Sequence, residues 1–225
     1  MAKRQPQATA RSDGAPPAAP VLVVDQVRKS FRKRFTQHVA VLNGASLIVR
    51  PGEIVGLVGE NGSGKSTLMK IVAGMMHSDS GSVDLSGRQG YCPQVPELWD
   101  KLTVREHFQL FAAAYNLEPA VAEERQAALL DDLNFGRYLE YLTVNLSGGT
   151  RQKLNLALSL LHDPDLLLLD EPYAGFDWET YLRFWEMSEA RRDKSMAILI
   201  VSHLIGEQSR LTRLYTLKDG RCIES

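Results

Sequence analysis

The sequence predicts an α/β protein built around a phosphate-binding loop. Short apolar strands alternate with amphipathic helical patterns through most of the chain. The glycine-rich segment GENGSGKS, residues 59–66, lies between one such strand and a helical pattern. The run LLLLD, which ends at Asp170, is typical of a central parallel strand that is covered on both faces.

Composition indicates a globular protein. The chain has 225 residues, of which 44% are hydrophobic, and this is enough for a sizeable core. Lys and Arg number 26 against 27 Asp and Glu, so no overall positive field favours nucleic acid or anionic lipid as a partner. Cys92 and Cys222 have neither the number nor the spacing of a disulfide framework or a zinc site, which indicates a reducing, cytoplasmic compartment.

The first twenty residues differ from the rest in composition. They are rich in Ala, Pro and polar residues and lack the apolar core of a secretory signal, so we expect residues 1–20 to be a disordered lead-in. The folded domain then covers residues 21–225. No apolar run approaches the ~20 residues that a membrane-spanning helix needs, so we do not expect the chain to cross a membrane by itself.

The domain begins with strands. VLVVDQV and VAVLNGASLIV are two β-rich runs separated by the basic stretch RKSFRKRF, residues 28–35, which predicts a turn or an extended hairpin. A solvated loop face explains this stretch better than contact with phosphate or lipid head groups. EIVGLV is the strand before the glycine loop, and the helix after it should bury Leu68, Ile71, Val72 and Met75.

A helical segment interrupts the strands. After the short strands GSVDLSG and GYCPQ, Thr103 and Glu106 have the spacing of a capping box, and apolar residues at helical spacing follow. We expect a mostly helical region from about residue 97 to 145. With the helix predicted to begin at Ser147, the inserted helical subdomain covers about residues 97–162. LLLLD, a helix from Trp178 to about Arg192, the strand MAILIVS, a short helix and a closing hairpin complete the alternation.

The glycine loop has the residues that phosphate binding requires. Residues 59–66 match the motif GxxxxGK[ST]. The backbone N–H groups of such a loop can surround a β-phosphate, which then lies at the positive end of the next helix. Lys65 should reach the β- and γ-phosphates, and the Ser66 hydroxyl should ligate Mg²⁺. The alternative is a glycine-rich turn that precedes a lysine by chance. The strand before the loop and the helix after it favour the phosphate-binding interpretation. The residues expected to bind the nucleotide here are Gly59, Asn61, Gly62, Ser63, Gly64, Lys65, Ser66 and Thr67.

Two carboxylates follow the LLLLD strand. Asp170 and Glu171 should emerge at the carboxyl end of a buried strand, where open α/β sheets bind ligands. Asp170 can hold Mg²⁺ through water, and Glu171 can accept a proton from the attacking water or polarise it. A pair of carboxylates that only caps a strand end is the alternative, and the phosphate loop favours the functional interpretation.

These motifs resemble those of the ATP-binding subunits of ABC transporters, from about residue 21 to the C-terminus. The specific feature is the segment LSGGT, residues 146–150, which is similar to the family's LSGGQ signature. The resemblance implies a P-loop NTPase core of ABC ATPase type with an antiparallel β subdomain and an inserted helical subdomain. It also implies that Ser147, Gly148 and Gly149 of one subunit close over the γ-phosphate held by another. Thr150 replaces the usual glutamine and leaves these three residues unchanged.

Further positions match the family pattern. Gln94 corresponds to a glutamine that contacts Mg²⁺ and can couple the nucleotide to the transporter partner. His203 corresponds to a histidine that contacts the γ-phosphate, and Asp177 to the aspartate of a loop that crosses between subunits. An adenine-stacking aromatic is expected near the end of the first strand, where Phe31 is the better candidate and Phe35 the alternative.

The resemblance implies an ATPase with ATP and Mg²⁺ as ligands. Its members power transport through a separate membrane-spanning subunit and pair with an identical or related ATP-binding subunit. The form of the signature resembles that of short exporter subunits, including the ABC-2 class, so we expect export and a peripheral position on the cytoplasmic face of the cell membrane. A soluble ABC-type ATPase that acts on ribosomes or DNA is the alternative. Intact Glu171 and His203 argue against a nucleotide-gated module without turnover.

Overall fold

Two β-sheets and five α-helices form the protein in a computed structural model, which describes residues 18–33, 37–202 and 205–225. The candidates Phe35 and His203 and almost all of the expected lead-in, residues 1–17, lie outside the described residues. Within the described ranges, no helix combines the length and the apolar character that crossing a membrane requires.

A three-stranded antiparallel sheet contains β1 (Leu22–Lys33), β2 (Gln37–Val49) and β4 (Ser80–Leu85), in the order β2-β1-β4. Both strands predicted at the start of the domain are confirmed. The strand β1 continues to Lys33 and pairs with β2 as far as Gln37, so most of the basic stretch belongs to an extended hairpin. The alternation of side chains in this hairpin places Phe31 beside Val39 of the neighbouring strand.

A six-stranded sheet carries the strand that precedes the glycine loop. Its order is β5-β6-β7-β3-β8-β9, and all neighbours are parallel except the closing hairpin of β8 and β9. The strand β6 is buried at every position, as its apolar sequence predicts. The strands are β3 (Ile54–Val58), β5 (Gln89–Cys92), β6 (Leu166–Asp170), β7 (Ala197–Val201), β8 (Arg213–Lys218) and β9 (Arg221–Glu224).

The helices follow the predicted positions. The capping box is confirmed, because the Thr103 side chain accepts from the Glu106 N–H and Glu106 accepts from the Thr103 N–H at 2.7 Å. In the described part of the chain, 3₁₀ helices cover Gly136–Tyr138, Thr143–Asn145 and Ile205–Arg210. The α-helices are α1 (Lys65–Val72), α2 (Val104–Ala114), α3 (Pro119–Asp132), α4 (Gly148–Leu160) and α5 (Trp178–Asp193).

The prediction for Met75 is wrong. The helix α1 ends at Val72, and Met75 is 55% exposed instead of continuing the buried face. Gly74 has a φ of +74°, in the left-handed region that terminates helices. The Met75 N–H donates to the Lys70 carbonyl at 2.8 Å, which closes the end of the helix and turns the chain away from the core.

Two apolar cores lie on opposite faces of the six-stranded sheet. Side chains alternate between faces along each strand, so Leu167 and Leu169 pack with the helices α2 to α5. Leu166 and Leu168 face the other core, which includes α1 and the antiparallel sheet. The strand β6 is therefore fixed by both cores, and the residue that follows Leu169 is held at the carboxyl edge of the sheet.

Gly90→Ala tests the contact between β5 and α4. A Cβ at Gly90 would lie 2.1 Å from the Ser159 carbonyl oxygen, so the backbone must move. We expect a loss of about 1–3 kcal/mol in the free energy of unfolding, measured by urea titration. At Gly136, the nearest atom to an added Cβ is 3.8 Å away, so Gly136→Ala is the control. Equal stability of the two variants would contradict this packing.

Candidate active site

The glycine loop connects β3 to α1 at the carboxyl edge of the sheet. Gly62 and Gly64 adopt φ values of +80° and +106°, which side-chain-bearing residues adopt only with strain. An added Cβ at Gly64 would also lie 2.8 Å from Cγ1 of Val41. The loop is therefore curled tightly against β2, with the N-terminus of α1 directed to its centre.

Lys65 is the first residue of α1 and is buried. Its ammonium donates to the carbonyl oxygens of Gly59 at 2.8 Å and Glu60 at 3.0 Å. These bonds span the loop and hold the positive charge beside the N–H groups of the same turn. The arrangement favours an anion at this point.

A cavity of about 720 Å³ adjoins the glycine loop. Phe31 is not among the described residues that line it, although its cross-strand neighbour Val39 is. Phe31 lies within the paired part of β1, which continues to Lys33. The cavity is lined by residues 39–41 of β2, residues 58–63, Ser202 and residues 216–220 of the closing hairpin. Sequence reasoning predicted the closing hairpin but missed that its turn, KDG, lines this cavity.

Asp170 ends β6 and is only 2% exposed. Burial raises the pKa of its carboxyl, and the charge of Glu171 acts in the same direction, whereas a hydrogen bond with Ser66 and the charge of Lys65 lower the pKa. Among the described residues, the Asp170 Oδ1 atom has no hydrogen-bond partner. A buried carboxylate oxygen beside a serine hydroxyl is the type of oxygen donor set that Mg²⁺ prefers, so these residues fit that cation.

The structure brings Gln94 and Glu171 together. The Gln94 amide donates to the Glu171 carboxylate at 3.0 Å, across the carboxyl ends of the neighbouring strands β5 and β6. Glu171 has a φ of +50°, and its N–H donates to the Val201 carbonyl at 3.1 Å. This backbone conformation turns the chain away from the sheet immediately after Asp170. Ser202, the residue before His203, lies at the end of β7 and accepts a hydrogen bond from the Tyr173 hydroxyl.

The signature segment forms the N-terminus of α4. Ser147 is the N-cap, and its Oγ atom accepts from the Thr150 N–H at 3.2 Å and lies 2.9 Å from the Thr150 hydroxyl. Ser147 and Gly148 are exposed, whereas Thr150 is buried. Thr150, which replaces the glutamine of the family's signature, therefore orients the Ser147 side chain from the buried side of the helix. Neither exposed residue lines the cavity beside the glycine loop of the same chain.

Gly149 packs against the segment that precedes α5. An added Cβ at Gly149 would lie 2.4 Å from the Gly175 carbonyl oxygen, so the two backbones can approach only without a side chain there. Two residues after Gly175, Asp177 caps α5 by accepting from the Thr180 N–H at 2.8 Å, and this bond lowers the Asp177 pKa. Sequence reasoning missed Gly175, for which a lone glycine before a helix cap was the only signal.

A glycine loop at the carboxyl edge of a mostly parallel sheet, with an antiparallel sheet and helices α2 and α3 added to it, defines an ATPase of the ABC class. The family model described as ABC transporter matches residues 42–174. The chain therefore belongs to the ABC transporter family, as an ATP-binding and ATP-hydrolysing subunit.

Relatives support this membership. The Nod factor export ATP-binding protein I of Burkholderia orbicola is 34% identical over 208 residues, which are 87% of this chain and 68% of that protein. The ABC-type organic anion transporter ABCA8B of Mus musculus is 35% identical over 92% of this chain, which spans 14% of that longer protein.

Solved structures share the fold. The structure of an ATP-binding subunit of an ABC transporter matches with a TM-score of 0.83 and 28% identity over 91% of this chain and 89% of that one. A dimeric bacterial ABC transporter cassette matches with a TM-score of 0.82 and 22% identity over 91% and 97% of the two chains. A dimeric cassette bound to ADP and Pi has a TM-score of 0.81 at 23% identity, with the same coverage.

Asp170→Asn should stabilise the nucleotide-free protein and impair ATP hydrolysis. The asparagine amide keeps the shape of the side chain and removes a buried carboxyl. The pKa of that carboxyl is raised, which means that folding disfavours its ionisation. We expect a higher Tm at neutral pH and a loss of ATPase activity on the order of 100-fold.

The pH dependence of this effect has a definite sign. The Asp170 pKa is higher in the folded state than in the unfolded state. Ionised Asp170 therefore destabilises the fold, and this effect grows as pH rises from the unfolded-state pKa through the folded-state pKa. The Tm advantage of Asp170→Asn should therefore grow as pH rises through this range and vanish in acid. A Tm below that of the wild type at neutral pH would contradict the burial argument.

Proposed function

We propose that the glycine loop binds the phosphates of ATP and that Ser66 and Asp170 hold the accompanying Mg²⁺, with Gln94 near it. The observation that carries this proposal is the buried, unpartnered Oδ1 of Asp170 beside Ser66 and the buried Lys65, within the described residues. When bound, Mg²⁺ would neutralise charge on the phosphate oxygens. Lys65 would exchange its loop carbonyls for phosphate oxygens, which accept stronger, charge-assisted hydrogen bonds.

Glu171 is the proposed base for the attacking water. It follows Asp170 directly, and the strained φ of +50° directs the chain away from the sheet at this residue. The Gln94 amide holds one carboxylate oxygen, which orients the group for proton transfer. His203, by resemblance, is a further contact for the γ-phosphate, and Phe31 for the adenine.

The site is proposed to be complete only in a pair of subunits. Ser147 and Gly148 are exposed at the start of α4 and do not line the cavity of their own chain, which supports their use on another subunit's nucleotide. Backbone N–H groups and a serine hydroxyl at a helix N-terminus are suited to binding a γ-phosphate. ATP would therefore bind between subunits, and the solved dimeric cassettes of the same fold support this arrangement.

A membrane-spanning subunit is the proposed partner for transport, and export is the proposed direction. Trp99 and Val144 are exposed apolar residues. The segments that carry them are adjacent, because the Thr143 hydroxyl donates to the Trp99 carbonyl at 2.7 Å. Gln94 lies five residues before Trp99, so a partner on this surface would be close to the nucleotide site. The relatives' names, which refer to Nod factor export and organic anion transport, support the same role.

This role implies a peripheral position on the cytoplasmic face of the membrane. We propose that residues 21–225 form one ABC-type domain. The inserted helical subdomain, at about residues 97–162, contains α2, α3 and α4 and carries both the exposed Trp99–Val144 surface and the signature. Residues 1–20 are proposed to be a lead-in outside this domain.

Glu171→Gln should bind ATP and hydrolyse it at least about 100-fold more slowly, because an amide cannot accept the proton. Phosphate release measures the rate, and size-exclusion chromatography with ATP should show a stable dimer. Lys65→Ala is the control, which should neither hydrolyse ATP nor dimerise with it. Turnover of Glu171→Gln at the wild-type rate would remove Glu171 from this role.

Val144→Asp should reduce copurification of the full chain with a polytopic subunit from native membranes by about tenfold, because it places a charge in the apolar contact. Mass spectrometry of the captured proteins measures the loss. Ile223→Asp, at an exposed apolar residue of β9, is the matched control. Capture of ribosomes or DNA in place of a membrane protein would favour the alternative function.

A further inference from the structure

Glu171, the proposed base, lies in a strained turn that its surroundings must hold. Its φ of +50° is in the left-handed region, which residues with a side chain adopt only at a cost in free energy. The Glu171 N–H donates to the Val201 carbonyl at 3.1 Å, and the Glu171 carbonyl accepts from the Ala174 N–H at 3.3 Å. These two bonds attach the backbone at Glu171 to β7 and close the turn that follows it.

Tyr173 attaches the same turn to the end of β7 at a second point. Its hydroxyl donates to the Oγ atom of Ser202, which directly follows the last residue of β7. Ser202 is buried and lines the cavity beside the glycine loop. Tyr173 therefore connects the segment after β6 to a buried hydroxyl at the edge of the proposed nucleotide site.

Aromatic neighbours hold the Tyr173 ring. Its centroid lies 5.5 Å from that of Tyr181 and 5.6 Å from that of Phe184, and both contacts are edge-to-face. Tyr181 and Phe184 belong to α5, and Phe184 is fully buried. Edge-to-face pairs favour particular ring orientations. The packing on α5 therefore directs the Tyr173 hydroxyl towards Ser202.

Pro172 joins the two residues that are attached to β7. It is buried, and its ring fixes its own φ at about −65°. Few soft dihedral angles therefore separate Glu171 from Tyr173. A shift of the Tyr173 hydroxyl relative to Ser202 would be transmitted to the Glu171 backbone.

We propose that Tyr173 is a positioning residue for ATP hydrolysis, an inference that rests on the proposed function of Glu171. Through Ser202, its hydroxyl holds the Glu171 backbone in the conformation from which the carboxylate reaches the attacking water. The Gln94 amide orients the carboxylate itself, so the two contacts are complementary. A misplaced base slows proton transfer without weakening phosphate binding, so kcat should depend on the Tyr173 hydroxyl and the KM for ATP should not.

Tyr173→Phe tests the role of the hydroxyl, because it removes this group and keeps the ring. In the full chain, we expect kcat for ATP hydrolysis to fall about tenfold while the KM for ATP changes less than about twofold. Tyr181→Phe, which removes a hydroxyl from the adjacent ring, is the matched control and should hydrolyse ATP at the wild-type rate. Phosphate release measures both constants.

Ser202→Ala tests whether Tyr173 acts through Ser202. It removes the same hydrogen bond from the other side, so its kcat should fall by the same factor as that of Tyr173→Phe. The double variant should be no slower than either single variant, because one interaction cannot be lost twice. A loss of packing alone would give losses that multiply.

The Glu171→Gln chain tests whether Glu171 is the group that is positioned. Its residual hydrolysis should be the same with and without Tyr173→Phe, because the amide cannot act as a base. Its ATP-dependent dimer should still form when Tyr173→Phe is added, which measures folding and nucleotide binding independently of turnover.

The outcomes separate this inference from the proposed function. Wild-type kcat in Tyr173→Phe, multiplying losses with Ser202→Ala, or an equal further loss in the Glu171→Gln chain would overturn the inference alone. Wild-type turnover of Glu171→Gln would overturn the proposed base, and the inference with it. A raised KM for Tyr173→Phe together with loss of the ATP-dependent dimer would assign the hydroxyl to nucleotide binding and would also contradict the proposal.

Discussion

The burial of the Asp170 carboxylate is the constraint on which the rest of the site depends. The strand β6 lies between β5 and β7 with an apolar core on each face, so Asp170 cannot relax into solvent. Ser66 and Lys65 offset part of the cost of holding a charge there, and the raised pKa shows that the offset is incomplete without further ligands. A stable fold thus carries a local penalty that cation binding would relieve, which is a common compromise at functional sites.

Much of this arrangement could be predicted from the sequence because local patterns determine it. The apolar run of β6, the Thr103–Glu106 capping box and the order strand, glycine loop, helix each depend on neighbouring residues. Met75 was mispredicted because hydrophobic periodicity continues past Gly74, where the backbone adopts a positive φ and leaves the helix.

Contacts between distant segments could not be predicted from the sequence. Nothing in the spacing of Gly149 and Gly175 indicates that their backbones touch, and the pairing of Gln94 with Glu171 joins residues 77 positions apart. The wall that residues 216–220 contribute beside the glycine loop depends on β8 lying next to β3, which is a property of strand order.

The hydrogen bond from Gln94 to Glu171 has a thermodynamic consequence. Gln94 lies in the segment that leads to the exposed surface of Trp99 and Val144. A protein that docked on this surface and displaced the Gln94 amide would change the orientation of the Glu171 carboxylate. Any resulting change in the affinity for nucleotide must be matched by an equal change, by the same factor, in the affinity of the docked protein when nucleotide is present. One amide contact of 3.0 Å would then make the two binding equilibria reciprocal.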